Sequence, residues 1–237
     1  ANPRQAQFWL SYIDVLIQLK QTIAAKSVLQ KAKNKGMRGE AFEQLQNTLL
    51  IHDLNETGIQ LHQAQRYELA IKNYNKALKA RPTGFLYSNK AAALAAMGNF
   101  SFAIKCYVNA IKLDPKLALA HNNLGVLLKQ NNDLGNARRH FQQALEIDPK
   151  YAECYYNLAS ITYFDLNDDK ISIMKRLYES NSVSLDQSCK LCYALAKAYD
   201  DLGDLKSSFE YLSKANLLER KLFPYDIEEA SRSFKRI

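Results

Sequence analysis

The sequence contains few of the residues that break helices, with 8 glycines and 5 prolines in 237 residues. It also lacks the uninterrupted apolar run, about 18 residues long, that a membrane-spanning helix needs. Its first residues do not have the apolar core of a signal peptide. Four cysteines are too few for the disulfide framework of a small secreted domain. We therefore expect long helices with short connections in a reducing, cytoplasmic environment, and no membrane partner.

Motifs for catalysis and cofactor binding are missing as well. The sequence has no G-x-x-x-x-G-K-[ST] loop and no G-x-G-x-x-G loop to hold a phosphate. Cys189 and Cys192 form a single C-x-x-C, whereas a structural zinc site needs four ligands. The histidines have no carboxylate or thiol at a recognisable spacing, and we interpret them as isolated surface residues: His52, His62, His121 and His140. The sequence thus predicts no enzyme, no metal and no cofactor.

The charge of the chain is basic, with a formal net charge of +8. A basic excess can indicate binding to nucleic acid. Here, however, lysine and arginine alternate with glutamate, glutamine and asparagine, and no arginine cluster occurs. We interpret the charges as a solvated face. Nucleic-acid binding stays a third hypothesis, and we do not expect nucleic acid as the partner.

An internal repeat organises the middle of the chain. Three segments end alike, and their prolines are 33 and 34 residues apart: Ala77–Pro82, Ala110–Pro115 and Ala144–Pro149. Upstream of each proline, small and large residues recur at matching positions: Gly58, Ala70 and Tyr74; Ala91, Ala103 and Tyr107; Gly125, Ala137 and Phe141. Small residues allow two helices to approach closely, large ones fill the space between successive hairpins, and proline ends the second helix.

This spacing resembles the 34-residue tetratricopeptide repeat (TPR), in which each repeat is a helical hairpin. The resemblance implies an all-α fold, a right-handed TPR α-solenoid of about six helical hairpins with a C-terminal capping helix. We expect one domain over residues 1–237. Its expected parts are a degenerate repeat at 8–38, an inserted helix at 39–50, regular repeats at 52–82, 85–115 and 119–149, a degenerate repeat at 153–185, a further repeat at 189–220 and a capping helix at 224–237.

One asparagine recurs at 34-residue intervals, always two residues before the small residue of the first helix: Asn89, Asn123 and Asn157. In the TPR family this helix lines the concave surface, so the resemblance places the three amides in a row along a groove. An amide can pair with both the donor and the acceptor of a peptide backbone. The row looks like the asparagine ladder in the TPR arm of O-linked N-acetylglucosamine transferase. We predict that it binds an extended peptide, with three neighbours contributing: Asn122, Tyr156 and Gln130.

Two alternatives to this ladder stay open. Asparagine could simply be tolerated on a solvated helix face. Chaperone-binding TPR domains instead clamp a C-terminal carboxylate with lysine, arginine and asparagine, and Leu86–Lys90 resembles the asparagine-bearing helix of that clamp. Neighbouring helices offer Asn55, Ile59 and Asn123 where cations would be needed, so the clamp is incomplete.

The ends of the chain carry a second resemblance. Residues 211–220 with 225–229, and residues 7–14 with 33–36, look like segments of bacterial proteins that join a TPR arm to a sulfotransferase or another transferase domain. The leading hypothesis is a non-catalytic scaffold that binds a protein or peptide segment in its concave groove. The alternative is the substrate-recruiting arm of a multidomain transferase whose catalytic domain lies outside this chain.

Overall fold

The computed structural model describes residues 3–19, 21–180 and 182–224, and all regular secondary structure in these ranges is helical. The helices are α1 (Pro3–Gln18), α2 (Thr22–Asn34), α3 (Glu40–Gln63), α4 (Tyr67–Ala80), α5 (Gly84–Ala96), α6 (Phe100–Leu113), α7 (Ala118–Gln130), α8 (Leu134–Ile147), α9 (Ala152–Ala159), α10 (Asp169–Glu179), α11 (Leu185–Asp201) and α12 (Leu205–Leu222). The all-α prediction is confirmed. None of the described helices is long and apolar enough to cross a bilayer. The predicted capping helix at 224–237 lies outside the described residues, apart from Pro224.

In most of the repeats the two consecutive helices pair as a hairpin, and the first and second helix of each repeat are called helix A and helix B below. The pairs α1/α2, α3/α4, α5/α6 and α11/α12 pack directly against each other. In α7/α8, Gly125 of helix A faces the ring of Phe141 in helix B. The chain divides into two compact units, residues 1–120 and 121–237. The sequence repeat does not mark this division, which falls in the first turn of α7.

The recurring small and large residues occupy the cores of these hairpins. The alanines of helix B are fully buried, with no exposed surface: Ala70, Ala77, Ala103, Ala110, Ala137 and Ala144. The rings between them are at most 2% exposed: Tyr74, Tyr107 and Phe141. Because the aromatic ring cannot move away from a filled core, helix A can pass it only where it carries a small residue.

Proline ends helix B in the three regular repeats by the expected route. The residue that precedes each proline leaves the helical conformation: Arg81 has φ −156° and ψ 111°, Asp114 φ −139° and ψ 89°, and Asp148 φ −130° and ψ 93°. The ring of a proline clashes with a helical residue before it, which pushes that residue towards extended backbone. The chain therefore turns at the same place in each repeat.

The stretch 39–50, predicted as a separate inserted helix, is instead the first half of the 24-residue helix α3. No glycine or proline interrupts the sequence between Glu40 and Thr57, so one helix continues through both parts. The α1/α2 hairpin packs on this extension, where Leu49 shares a core with Ile13 and Leu16. A cleft of about 660 Å³ opens between the start of α2 and the second half of α3.

The degenerate repeat predicted at 153–185 also departs from the regular hairpins. Helix α9 has only 8 residues and ends at Ala159, and residues 160–168 form an irregular connection to α10. The hydroxyl of Ser160 donates to the carbonyl of Asn157, and Tyr163 Oη donates to the carbonyl of Asp201. Phe164 is buried, with 1% exposed surface. Burial of this ring and the two hydroxyl bonds replace the lost turns of helix.

Gly125→Leu tests the close approach of helix A to helix B. A Cβ atom at Gly125 would lie 2.6 Å from Phe141 Cε1, and that ring is fully buried. We expect the larger side chain to lower the free energy of unfolding by about 1–3 kcal/mol, since it overfills a packed core. Urea unfolding followed by circular dichroism measures the change.

Gly135→Leu is the matched control, because a Cβ atom at Gly135 in α8 meets nothing within 4 Å. Leucine is the better helix former by up to about 1 kcal/mol, so this variant should be neutral or slightly more stable. Equal stability of the two variants would show that the contact at Gly125 does not limit the packing.

Candidate peptide-binding surface

The six predicted site residues all lie on A helices. Asn89 is on α5, while Asn122, Asn123 and Gln130 are on α7, and Tyr156 and Asn157 are on α9. Unit 1 therefore holds Asn89, and unit 2 holds the other five.

In unit 1, the side chain of Asn89 is hydrogen-bonded to another amide. Asn89 Nδ2 donates to Asn55 Oδ1 of α3 at 2.8 Å. Both residues are half-buried. Asn55 lies three residues before Gly58, the small residue of its helix, whereas Asn89 lies two residues before Ala91. The amide of the later helix A thus bonds to the amide of the preceding helix A.

The same bond recurs in unit 2. Asn157 Nδ2 donates to Asn122 Oδ1 at 3.0 Å, and Asn122 Nδ2 donates to Asn123 Oδ1 at 3.3 Å. Asn157 lies two residues before Ala159, and Asn122 lies three residues before Gly125, so the positions match those in unit 1. We call each such bond, Asn89 to Asn55 and Asn157 to Asn122, an amide rung.

The rungs change the interpretation of the asparagines. Asn122 has no exposed surface and Asn157 is 7% exposed, so these two side chains offer little or nothing to a ligand. An asparagine amide has two N–H donors and an acceptor oxygen, and a rung uses only part of this capacity. The half-buried Asn89 and Asn123 therefore keep hydrogen-bonding groups for a partner. Their contact with a peptide stays a prediction.

Tyr156 is the one aromatic residue among the six predicted site residues, and it is 41% exposed. Its ring lies 6.2 Å from that of Tyr193 in α11, centroid to centroid. Tyr193 Oη lies 2.9 Å from Asn216 Oδ1 and 2.5 Å from Glu219 Oε2, and these two acceptors share its single proton. The bond to Glu219, with burial as the second cause, raises the pKa of Tyr193 to about 12. Tyr193 is therefore a neutral, fixed support for the ring of Tyr156.

The sequence analysis missed Tyr193 and two charged residues, Lys190 and Glu153. Lys190 Nζ of α11 lies 3.7 Å from Glu153 Oε2 of α9 and 2.9 Å from Asp186 Oδ2 of its own helix. A signal for Tyr193 was present, since it lies three residues before Ala196 just as Tyr156 lies three before Ala159.

Gln130 is exposed at the last residue of α7, about two turns beyond Asn123.

The interpretation of the histidines as isolated surface residues is wrong. His121 is 4% exposed, and its Nδ1 lies 3.1 Å from Nδ1 of His140. Burial, together with the nearby His121, lowers the pKa of His140. His52 Nδ1 is also hydrogen-bonded, to Thr22 Oγ1 at 3.2 Å. Sequence spacing could not reveal the first contact, because its partners are 19 residues apart on two helices.

The C-x-x-C cysteines belong to the core of unit 2. Cys189 and Cys192 are 6% and 0% exposed, and Cys189 Sγ donates to the carbonyl of Ala215. Burial raises the pKa of both thiols, that of Cys192 to about 11. Within residues 3–19, 21–180 and 182–224, no three potential ligands among His, Cys, Asp and Glu come together as a metal site.

Successive helical hairpins with small residues recurring at their crossings are typical of an α-helical repeat protein. A family model described as TPR repeat matches residues 91–132. Models described as tetratricopeptide repeat match residues 118–151, 140–169, and 61–83 with 190–221. Together these matches take up more than half of the chain, which belongs to the tetratricopeptide-repeat family.

Known proteins of this family resemble parts of the chain. A TPR repeat-containing thioredoxin of Arabidopsis thaliana is 35% identical over 89 residues, 37% of this chain and 13% of that protein. An Hsp70-Hsp90 organizing protein of the same plant is 29% identical over 125 residues, 52% of this chain and 22% of that protein. The chain thus spans well under a third of the length of either relative.

Among solved structures, that of Pseudomonas aeruginosa pilF superposes on this chain with a TM-score of 0.56 and 14% sequence identity. The superposition covers 97% of this chain and 97% of the pilF chain. A likeness at this identity concerns the fold alone. Together with the helices and the family matches, it confirms the predicted all-α TPR fold.

Removing the donor of each amide rung should show its contribution to stability. Asn157→Ala leaves the fully buried Asn122 Oδ1 without the N–H that it accepts, which we expect to cost about 1–3 kcal/mol. Asn89→Ala should cost less, because its acceptor Asn55 is half-buried and water can replace the lost donor. Urea unfolding of the two single variants gives the comparison. Equal losses would mean that burial of the acceptor does not decide what a rung contributes.

Proposed function

We propose that this chain is a protein-interaction scaffold that binds a peptide segment of its partner on the exposed surface of its A helices. The observation that carries the proposal is Tyr156, an exposed ring on helix A that rests beside the fixed ring of Tyr193. Large, rigid aromatic side chains dominate the binding energy of many protein interfaces. Repeat proteins commonly use the faces of their stacked elements as extended binding surfaces.

The groups around Tyr156 suit an extended peptide. Asn123 keeps capacity to pair with a backbone amide, and Lys190 and Glu153 supply both charges at the same face. In unit 1, Phe85 and Asn89 lie four residues apart on one face of α5, and Phe85 is 59% exposed. Each unit therefore presents an aromatic ring beside an amide. Such a surface recognises backbone together with an apolar side chain, and needs no chemistry of its own.

Recognition of a C-terminal carboxylate is the competing mode. The relative named an Hsp70-Hsp90 organizing protein motivates a comparison with chaperone-binding domains. Asn55, Ile59 and Asn123 stand where that clamp needs cations, and the amides of Asn55 and Asn89 bond to each other. The proposed mode therefore depends on the peptide backbone and not on a free C-terminus.

A second candidate is the substrate-recruiting arm of a bacterial transferase, of sulfotransferase or glycosyltransferase type, acting in the cytoplasm. It rests on the resemblance of residues 7–14 and 211–220 to such arms. The bound peptide would then be the substrate of a catalytic domain elsewhere in the protein. A transferase domain encoded downstream in the same reading frame would favour this candidate, and a stop codon near Ile237 would remove it.

Peptides selected from a random phage-displayed library on this chain provide the probe for the proposal. We expect Tyr156→Ala to weaken binding of a selected peptide by about tenfold, equivalent to ~1.4 kcal/mol, because it removes the central ring of the surface. Fluorescence polarisation with a labelled peptide measures the affinity. Asn123→Ala should weaken binding by a smaller factor, since one hydrogen bond contributes about 1 kcal/mol.

Phe209→Ala is the matched control, because Phe209 is 71% exposed in unit 2 but lies on α12, a helix B, and not on helix A. The affinity of this variant should equal that of the wild type. The same peptide with an amidated C-terminus should bind unchanged. A loss of binding on amidation would favour the carboxylate clamp, and loss in Phe209→Ala with none in Tyr156→Ala would refute the helix A surface.

A further inference from the structure

Helix α1 carries an exposed apolar stripe. We call it the α1 stripe, and it consists of Phe8, Tyr12 and Val15 of α1 together with Leu19 in the turn that follows, which are 65%, 45%, 47% and 62% exposed. Spacings of four and three residues place Phe8, Tyr12 and Val15 on one face of the helix, and Leu19 follows Val15 after four more residues. The rings of Phe8 and Tyr12 stack with their centroids 6.1 Å apart. Another face of α1 carries Ile13 and Leu16, which are buried in the first hairpin.

The repeat assigns a structural role to the equivalent positions. Ile13 lies twelve residues before Ala25, just as Gly58 lies twelve before Ala70, and therefore takes the place of the small residue. Phe8, Tyr12 and Val15 then lie five before, one before and two after that place. The residues at these three positions are Leu86, Lys90 and Ala93 in α5, Cys154, Leu158 and Ile161 in or just after α9, and Leu191, Leu195 and Ala198 in α11.

In α5 and α9, members of this set pack against the hairpin before them. In unit 1, Leu86 and Ala93 share a core cluster with Tyr74 of the preceding helix B, α4. In unit 2, Cys154 Sγ donates to the carbonyl of Phe141 in the preceding helix B, α8, at 3.2 Å. The α1 stripe is therefore a stacking face, and its large exposed fractions show that no described residue covers it.

We propose that a second copy of this chain covers the α1 stripe, with α1 packed against α1 of the partner copy across a two-fold axis. A helix B that carries a ring such as Tyr74 would fit this face less well than a second copy of α1. Between stacked hairpins of this chain, helix B contributes a ring such as Tyr74, while helix A contributes Leu86 or Ala93. The α1 stripe brings its own rings, Phe8 and Tyr12, so a helix B with a further ring would overfill the space.

Two copies of α1 match each other in spacing and in charge. Apolar residues four and three apart form the seam of paired helices, and identical seams are self-complementary about a two-fold axis. Asp14 is the only charged residue between Phe8 and Leu19, and the polar residues beside the stripe, Ser11 and Gln18, are neutral. Two copies can therefore approach along this face with little repulsion, although each carries a net charge of +8.

The size of the seam sets the expected affinity. A helix of 16 residues is about 24 Å long, and one helix pair buries less than the ~1,600 Å² of a standard stable interface. The dimer should accordingly be weak, with a dissociation constant of about 10 µM. Sedimentation equilibrium of the intact chain over a range of concentrations measures it directly.

Tyr12→Glu tests the seam. Since it places a charge at the centre of the α1 stripe in both copies, we expect the dissociation constant to rise by at least about tenfold. Phe102→Glu is the matched control, because Phe102 is 62% exposed on α6 and the change in net charge is the same. It should dimerise like the wild type. A wild-type chain that stays monomeric at about 100 µM, or two variants that behave alike, would overturn the proposal.

Cysteine cross-linking locates the contact without relying on affinity. The native cysteines are buried and do not compete: Cys106, Cys154, Cys189 and Cys192. Under mild oxidation Tyr12→Cys should give a covalent dimer on a non-reducing gel, because seam residues at the axis bring their Cα atoms within disulfide reach. Phe102→Cys should stay monomeric. Equal cross-linking of both variants would reflect random collision and contradict the seam, and circular dichroism checks that each variant is folded.

Discussion

In the regular hairpins, helix A and helix B approach so closely that only a small residue fits at their crossing, and most other features of the structure depend on this approach. A Cβ atom at Gly58 would lie 2.4 Å from Tyr74 Cε1, and one at Gly125 would lie 2.6 Å from Phe141 Cε1. The rings cannot give way, because they are at most 1% exposed. Close pairing leaves the opposite faces of each hairpin apolar, and these faces must be covered by the neighbouring hairpins.

The amide rungs show how polar residues are accommodated in this arrangement. The A helices of neighbouring hairpins lie near enough for Asn89 to reach Asn55 and for Asn157 to reach Asn122. A buried amide without a partner would be costly, whereas a paired one is tolerated and fixes the register of the two helices. The same periodic residues therefore contribute first to the stack, and only their remaining donors and acceptors are open to a ligand. The asparagine side chains are therefore partly occupied by the rungs, whereas the exposed ring of Tyr156 is available to a partner.

Departures from the regular repeat create the distinctive surfaces of the two units. In unit 1, the extension of α3 moves the contact with the first hairpin to Leu49 and leaves a cleft beside its second half. The α1 stripe has the rings of Phe8 and Tyr12 at the stacking positions where α5 has Leu86 and Lys90. In unit 2, the early end of α9 places Tyr163 and Leu166 in solvent, at 74% and 87% exposure. Where the repeat is regular, by contrast, side chains serve mainly to hold the hairpins together.

Local patterns were sufficient to predict the fold of this protein, because each hairpin is specified by residues within about 34 positions of each other. Gly125, Ala137 and Phe141 identify a helix crossing, and Pro149 the place where the chain turns, before any coordinates are known. The same reasoning placed the six candidate residues on A helices. It could not predict that α3 would include residues 40–50, because an amphipathic stretch has the same pattern in a separate helix and in an extension of the next helix.

Tertiary structure decided which of these residues are accessible. Periodicity assigns Asn89, Asn123 and Asn157 one common role. Their exposure, however, depends on side chains from other helices, which bury Asn157 and leave Asn89 half-buried. The pairings of Tyr156 with Tyr193 and of His121 with His140 likewise join different helices. The sequence by itself determined the hairpins, since close helix packing demands small residues at a fixed interval. Which polar groups meet each other, and which remain for a partner, was settled only when the hairpins packed together.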